Sequence, residues 1–189
     1  METPLVHKYA RIDRERRFLL TEFPKNANVA GIRRLFDRYI DGTTLRLRKQ
    51  SKNDGATVFK LTQKIPAPAH GAQQGFITSF YLTEGEFSLL AQLPARTLSK
   101  TRYSVSPFGI DVFEGALEGL LLAEAEFDSA DDAQALPIPS FIYREVSSDK
   151  RFTGGELARA SRPEMLAWLL EYGIRLGANV AEIPSTSSQ

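Results

Sequence analysis

Thr44-Leu45-Arg46-Leu47-Arg48 alternates polar or cationic with apolar side chains at a period of two. Residues two apart in an extended strand share a face, so Arg46 and Arg48 stand with Thr44, and Leu45 stands with Leu47 on the other side. Reading backward, the pattern reaches Leu35 and is broken at Asp41-Gly42, a favoured hairpin pair; Leu35 to Gln50 therefore reads as two antiparallel strands. Reading forward, Thr57 to Ile65 sets Lys60, Thr62 and Lys64 opposite Phe59 and Leu61. Ile12 to Leu20 repeats the rhythm with Asp13, Glu15 and Arg17 on one face. A Pro/Gly/Ala-rich stretch from Pro66 to Gly75 reads as a loop. Beyond it come Phe76 to Leu82, Ser99 to Val105 with Lys100 and Arg102, Ile110 to Phe113, and Leu120 to Asp128 with Glu124 and Glu126.

Short helices punctuate these strands. Thr83 with Glu86 forms a capping box that opens a helix running to about Leu93. Ser129 followed by Asp131 and Asp132 suits a second start, and Ser161 with Glu164 a third, which Gly173 or Gly177 ends. Connections between strands are too short for parallel crossovers, so the expected architecture is an antiparallel sheet or barrel with a few attached helices.

The 189 residues suffice for one domain with its own core. Basic and acidic residues number 24 and 23, so a charged site must come from local sorting, and a general electrostatic grip on duplex nucleic acid or anionic membrane is not expected. The chain has no cysteine, which excludes disulfides and thiolate metal centres. Met1 to Arg17 lacks the apolar core of a signal peptide, and no apolar run reaches the roughly 20 residues of a membrane helix. A cytoplasmic location is the expectation.

Taken singly, each charged face is what a half-exposed antiparallel strand wears toward solvent. Taken together, three runs carry only cations and one only carboxylates, whereas solubility favours mixed signs. Enclosed in a barrel, such faces would form a cationic channel beside a carboxylate cluster, a combination suited to a polyanion with metal ions. Periodicity alone does not say which face points inward.

The order of motifs resembles the CYTH family, also called triphosphate tunnel metalloenzymes. Asp13-Arg14-Glu15-Arg16-Arg17-Phe18-Leu19 is similar to that family's E-x-E-x-K-F-L opening. Thr44 to Arg48, Leu61-Thr62-Gln63-Lys64, Lys100-Thr101-Arg102-Tyr103, Ile110-Asp111-Val112-Phe113, Leu122 to Phe127 and Glu145-Val146 leading to Asp149-Lys150-Arg151-Phe152 follow in family order. The resemblance implies a mainly β fold, an eight-stranded antiparallel barrel around a triphosphate tunnel with a few peripheral helices. It places that domain at residues 1–160 and leaves 161–189 as a C-terminal helix and tail. It further implies Mg²⁺ or Mn²⁺ held by Asp13, Glu15, Glu124 and Glu126. Phosphate oxygens would meet Arg17, Arg46, Arg48, Lys64 and Arg102, with Lys60 and Lys100 on the same faces and Lys150 at one tunnel mouth. Glu15, Lys64, Arg102 and Glu126 would carry the chemistry.

Two departures from the family pattern stand out. The opening reads D-x-E-x-R, with a shorter acid and a planar fork in place of an ammonium. Phe76 to Leu82 has no acid where small bacterial members often carry a further E-x-E, which points to a leaner metal site. The expected activity is metal-dependent hydrolysis of tripolyphosphate, ATP or thiamine triphosphate; an adenylate cyclase and a silent polyphosphate-binding module are the alternatives.

Other residues admit plainer readings. Asp111 either orients a tunnel arginine or faces solvent. His7 and His70 are too isolated for a histidine-based triad. Gly154-Gly155 reads as a turn before a short helix, and Phe76, Phe80 and Tyr81 as core. The helix bearing Leu166, Trp168 and Leu169 is either a lid on the barrel or a surface for homodimer formation. Pro184 to Gln189 reads as a frayed tail.

Overall fold

The computed structural model describes residues 8–70 and 73–176, with the side chains of 67–70 and 73–74 left aside. Its strands are β1 (Arg11–Leu19), β2 (Gly31–Ile40), β3 (Leu45–Lys52), β4 (Thr57–His70), β5 (Gln73–Leu82), β6 (Ala95–Val105), β7 (Phe108–Phe113) and β8 (Leu121–Glu126). They pair in the order β5-β4-β3-β2-β6-β7-β8-β1, and β5 returns to β1, closing an eight-stranded antiparallel barrel. A two-residue strand, β9 (Arg144–Glu145), pairs with Phe18 and Leu19 of β1. Closure leaves β8 between β7 and β1, so Glu124 and Glu126 are not on an edge. At the β2–β3 hairpin Gly42 adopts φ +71°, a left-handed conformation that a side chain would strain.

Register decides which face is enclosed. Asp37 lies opposite Arg48, Arg48 opposite Lys60, Arg46 opposite Thr62, Arg102 opposite Asp111, Glu124 opposite Arg17 and Glu15 opposite Glu126. Paired residues share a face, so these pairs turn the charged rows of β1–β4 and β6–β8 into the bore, and β5 alone presents the uncharged Ile77 and Ser79 there.

The apolar faces therefore look outward and need cover. Phe18, Tyr103, Ile110, Val112, Ala123 and Ala125 are buried beneath Leu20, Phe23 and Leu136, with Phe141 and Ile142 packed alongside. Arg16 fastens that cover. Its guanidinium donates to both oxygens of Glu145, at 2.9 and 2.6 Å, and to the Ala133 carbonyl at 2.9 Å.

One stretch of the bore is apolar as well. Leu19, Leu98, Phe113 and Leu122 follow the charged rows and meet Phe152, Leu157, Met165 and Leu169, which plug it. The plug is carried by α3 (Gly154–Leu157) and α4 (Arg162–Glu171). The Ser161–Glu164 capping box starts α4, and Gly173, at φ +77°, turns the chain away after it. Helix α1 (Glu84–Leu90) sits outside β4, Phe87 against Phe59 at 4.7 Å between ring centres, and α2 (Ala130–Ala135) is capped by Ser129.

Three local expectations are overturned. The stretch expected as a loop from Pro66 to Gly75 is largely strand, because β4 runs on to His70 and β5 starts at Gln73. Pro66 is tolerated there: the Lys64 N–H, two residues earlier, points to Thr44 of the β3 side, and the β3–β4 ladder ends at Gln63. The missing proline donor thus faces an unpaired flank. Phe80 and Tyr81 are not core; they are 53% and 72% exposed, because the outward face of β5 is only partly covered and Tyr81 stands at the strand's end. Gly154 and Gly155 lie inside α3 instead of before it. His7 and the tail from Pro184 to Gln189 lie outside the described residues, as does the rest of 177–189. Among the described residues no helix is long and apolar enough to cross a membrane.

The plug makes a measurable claim. Met165 is fully buried and Leu170 is 53% exposed on the same helix. Met165→Ala should lower unfolding free energy by about 2–5 kcal/mol in denaturant titration, and Leu170→Ala by no more than about 0.5. Equal small losses would mean that α4 does not seal the barrel.

Candidate active site

The enclosed charges surround a cavity of about 460 Å³. Arg46 and Arg48 of β3, Lys64 of β4, Lys100 and Arg102 of β6, Glu124 and Glu126 of β8, and Asp13 and Glu15 of β1 all line it. Tyr39 of β2, Ile77 of β5 and Gly154 of α3 complete this part of the wall. Nine of the residues expected from sequence thus converge on one space, with Glu126 at its exposed rim.

Three expected residues do not line it. Arg17 is buried behind the wall, 2% exposed, where it donates to the carbonyls of Phe152 and Ser147 at 2.9 and 3.1 Å. With Glu15 3.6 Å from its Nε, it joins cavity to plug. Lys60 shares the inward row, but its ammonium lies 5.0 Å from the Tyr81 ring centre, outside the lining. Lys150 is exposed in a 3₁₀ turn that Asp149 caps, and it does not close the cavity.

Enclosure strips water from these ions, so each needs a partner. Asp111 is fully buried and takes two hydrogen bonds from Arg102, at 2.6 and 2.7 Å, as well as one from Lys100. Of its two sequence readings, orienting an arginine is the one the geometry matches. Arg102 also binds Glu124, and Lys64 binds Asp13 at 2.9 Å. Arg48 is gripped through Nε and Nη2 by the two oxygens of Asp37, both at 2.6 Å. Of the cations on β3, β4 and β6 named above, Arg46 alone has no carboxylate partner among the described residues. Its Nε is buried without a hydrogen bond, and its Nη2 reaches only the Thr62 hydroxyl at 3.4 Å.

These contacts set ionisation. Burial would raise the Asp37 carboxyl, but Arg48, Arg46 and Lys100 outweigh it and bring the value down to about 2. Burial likewise opposes charge on Glu124, yet Lys100, Arg102, Arg17 and Lys64 hold it well below the usual carboxylate range. Burial wins at Glu15, and with Glu124 and Asp13 nearby it raises that carboxyl despite Lys64 and Arg17. Burial also opposes charge on Lys64, but Glu15 and Asp13 hold its ammonium above the usual lysine range. Burial, with Asp37 adding to it, pushes the Tyr39 phenol up.

Among the described residues no three carboxylates gather as a ready-made metal group. The donor set nevertheless has the right chemistry for a hard cation. Glu15 faces Glu126 across the β1–β8 register, and Asp13, Glu15 and Glu124 line the same space. A divalent ion would offset the burial, and the lesser repulsion from Glu124 and Asp13, that raise Glu15, provided Asp13 and Glu124 release their present partners.

Sequence reading missed Asp37, Tyr39 and Gly154. Asp37 was discoverable: any β2–β3 hairpin with an even number of loop residues sets it opposite an even-numbered residue, on the Arg46–Arg48 side. Gly154 gave no such signal. A side chain there would put its Cβ 2.0 Å from the Tyr39 hydroxyl, so a backbone approach from a remote turn excludes it.

Asp37 also predicts an acid response. Its depressed value contributes stability that is complete above the ordinary aspartate range and is lost as pH falls through about 2. Between about pH 4 and pH 2 the wild-type unfolding free energy should drop by about 2 kcal/mol more than that of Asp37→Asn. Parallel pH curves for the two proteins would refute the buried ion pair.

No protein-family model matches the chain. It is 33% identical over 151 residues to the inorganic triphosphatase of Nitrosomonas europaea, an alignment spanning 76% of this chain and 95% of that protein. Its fold resembles the crystal structure of the inorganic triphosphatase NE1496, with TM-score 0.54 and 28% identity over 79% of this chain and 96% of that one. A second crystal structure of NE1496 gives TM-score 0.53 and 29% identity, covering 79% and 99% of the two chains. Motif order, barrel closure and the sequence relative agree: the chain belongs to the CYTH, or triphosphate tunnel, family.

Proposed function

We propose that the protein hydrolyses inorganic triphosphate in this cavity. The observation that carries the proposal is Arg46, a half-buried guanidinium in a closed bore whose buried Nε lacks a hydrogen bond and which has no carboxylate partner among the described residues, flanked by cations whose partners are internal. An unpaired buried cation is costly unless an anion completes it. A relative 33% identical bears the name inorganic triphosphatase, which supports the choice of anion.

Arg46 and Arg48 would bind phosphate oxygens through their planar forks, while Lys64 and Arg102 supply charge at the transferring phosphoryl group. Water attacks the terminal phosphorus in line with the departing diphosphate, and the same cations stabilise the charge on its equatorial oxygens. Mg²⁺ or Mn²⁺, held by Asp13, Glu15, Glu124 and Glu126, would offset phosphate charge and promote the attack. Loading becomes an exchange of partners. Phosphate would take Lys64 and Arg102, and the carboxylates they release, Asp13 and Glu124, would be available to hold the divalent ion. The ions that are paired before would stay paired, and Arg46, without a carboxylate partner among the described residues, would gain the phosphate.

A matrix of tripolyphosphate, ATP and thiamine triphosphate against Mg²⁺ and Mn²⁺, with products resolved, tests the assignment. Phosphate should be released fastest from tripolyphosphate and cease with chelator. Lys64→Ala and Glu126→Gln should each lower kcat on the order of 100-fold. Lys60→Ala and Lys150→Ala, both off the cavity, should stay within about twofold. Absence of phosphate release from all three substrates would sink the proposal.

A further inference from the structure

We infer that Asp37 is a positioning residue that fixes the Arg48 fork for one phosphoryl group, a role that rests on the triphosphate reading above. Arg48 and Arg46 stand two residues apart on β3, face the same cavity and have the same side-chain chemistry. Their surroundings differ sharply. Asp37 is fully buried and holds Arg48 by two hydrogen bonds of 2.6 Å, from Nε and from Nη2. A guanidinium has five N–H donors. The clamp uses two of them and fixes the plane of the group, leaving the Nη1 edge to meet a ligand oxygen. Arg46 has no such clamp; its Nη2 lies 3.4 Å from the Thr62 hydroxyl. The two arginines therefore divide the work. Arg48 is a fixed reference against which one phosphoryl group is aligned, and Arg46 adapts to the rest of the chain.

The clamp has a cost in attraction. Asp37 cancels the charge of Arg48, so the cavity draws a polyanion less strongly than its arginines alone would. Aligning a phosphoryl group within a few tenths of an ångström acts on the transition state, whereas net charge acts on ground-state binding as well. Removing the Asp37 charge should push these two quantities in opposite directions, which no loss of general stability would do.

The test is Asp37→Asn, similar in shape but uncharged, with folding checked by circular dichroism. Its kcat on tripolyphosphate should fall at least about tenfold, while Kd for a hydrolysis-resistant imido analogue of tripolyphosphate, read by calorimetry, tightens severalfold. Arg48→Lys keeps the charge but removes the fork; its kcat should fall similarly, with Kd changed by less than about threefold. This second variant decides the matter if Asp37→Asn does not fold. A lower melting temperature with kcat and Kd unchanged would reduce Asp37 to a structural ion pair. Parallel weakening of kcat and Kd in either variant would also overturn the inference. A wild-type protein that binds the analogue but hydrolyses no triphosphate would defeat the functional reading alone, and the Kd comparison would still report on Asp37.

Discussion

Pairing of β5 with β1 is the contact on which the rest of the molecule depends. An open sheet with these sequences would wear its charged rows toward water, where each ion keeps its hydration and paired charges contribute little. Closing the sheet moves the same rows into a narrow bore. Water is largely removed, the effective dielectric falls, and an isolated charge becomes expensive. The arrangement of the interior follows. Arg102 and Lys100 share Asp111, Arg48 has Asp37, Lys64 has Asp13, and Glu15 lies beside Arg17. Along these inward rows the carboxylates offset most but not all of the cations, so the bore keeps a cationic excess that includes Arg46.

The same closure displaces the hydrophobic core. In most domains apolar faces meet inside; here they look out from the wall, and β1, β6, β7 and β8 bury theirs under the segments around Phe23 and Leu136. A second apolar cluster plugs the bore around Phe152 and Met165. Stability and chemistry are thereby separated in space. The covers and the plug supply the burial of apolar surface, and the charged stretch can hold ions that a conventional core would reject. Arg17 is where the two meet, bound to the plug through Phe152 and Ser147 and next to Glu15 on the cavity.

The strands, the hairpin at Asp41-Gly42 and the helix caps at Thr83, Ser129 and Ser161 were legible in the sequence because each is written by local chemistry. Convergence of Arg46, Lys64, Arg102 and Glu124 on one cavity followed from period-two sorting once the resemblance supplied closure. What escaped depends on contacts between distant segments. Pro66 looks like a strand breaker until the end of the β3–β4 ladder is known. Tyr81 looks like core until the end of β5 is seen to lack cover. Lys60 shares a row with Lys64, but two residues along a strand amount to roughly 7 Å, enough to carry a side chain past the cavity. Lys150 was placed by motif position, and motif position does not record that the following turn seats Phe152 in the plug and leaves the lysine outside.

The acid-free β5 makes sense within this electrostatic balance. The carboxylates proposed for a divalent ion sit on β1 and β8, which are neighbours, whereas the cations proposed for phosphate sit on β3, β4 and β6. Between Lys64 and β1 the wall is Ile77, and beyond it Thr62 meets Ser79 at 2.9 Å, a neutral seam between the acidic and basic sides. A bore polarised in this way does more than hold charge. A phosphate chain would lie along the arginine side with its metal toward β1 and β8, because the reverse placement would set phosphate against Glu15 and Glu124 and a cation against Arg46. An acid on β5 would blur that division. Its absence leaves one orientation favoured by electrostatics, and an in-line attack depends on a substrate held in one orientation.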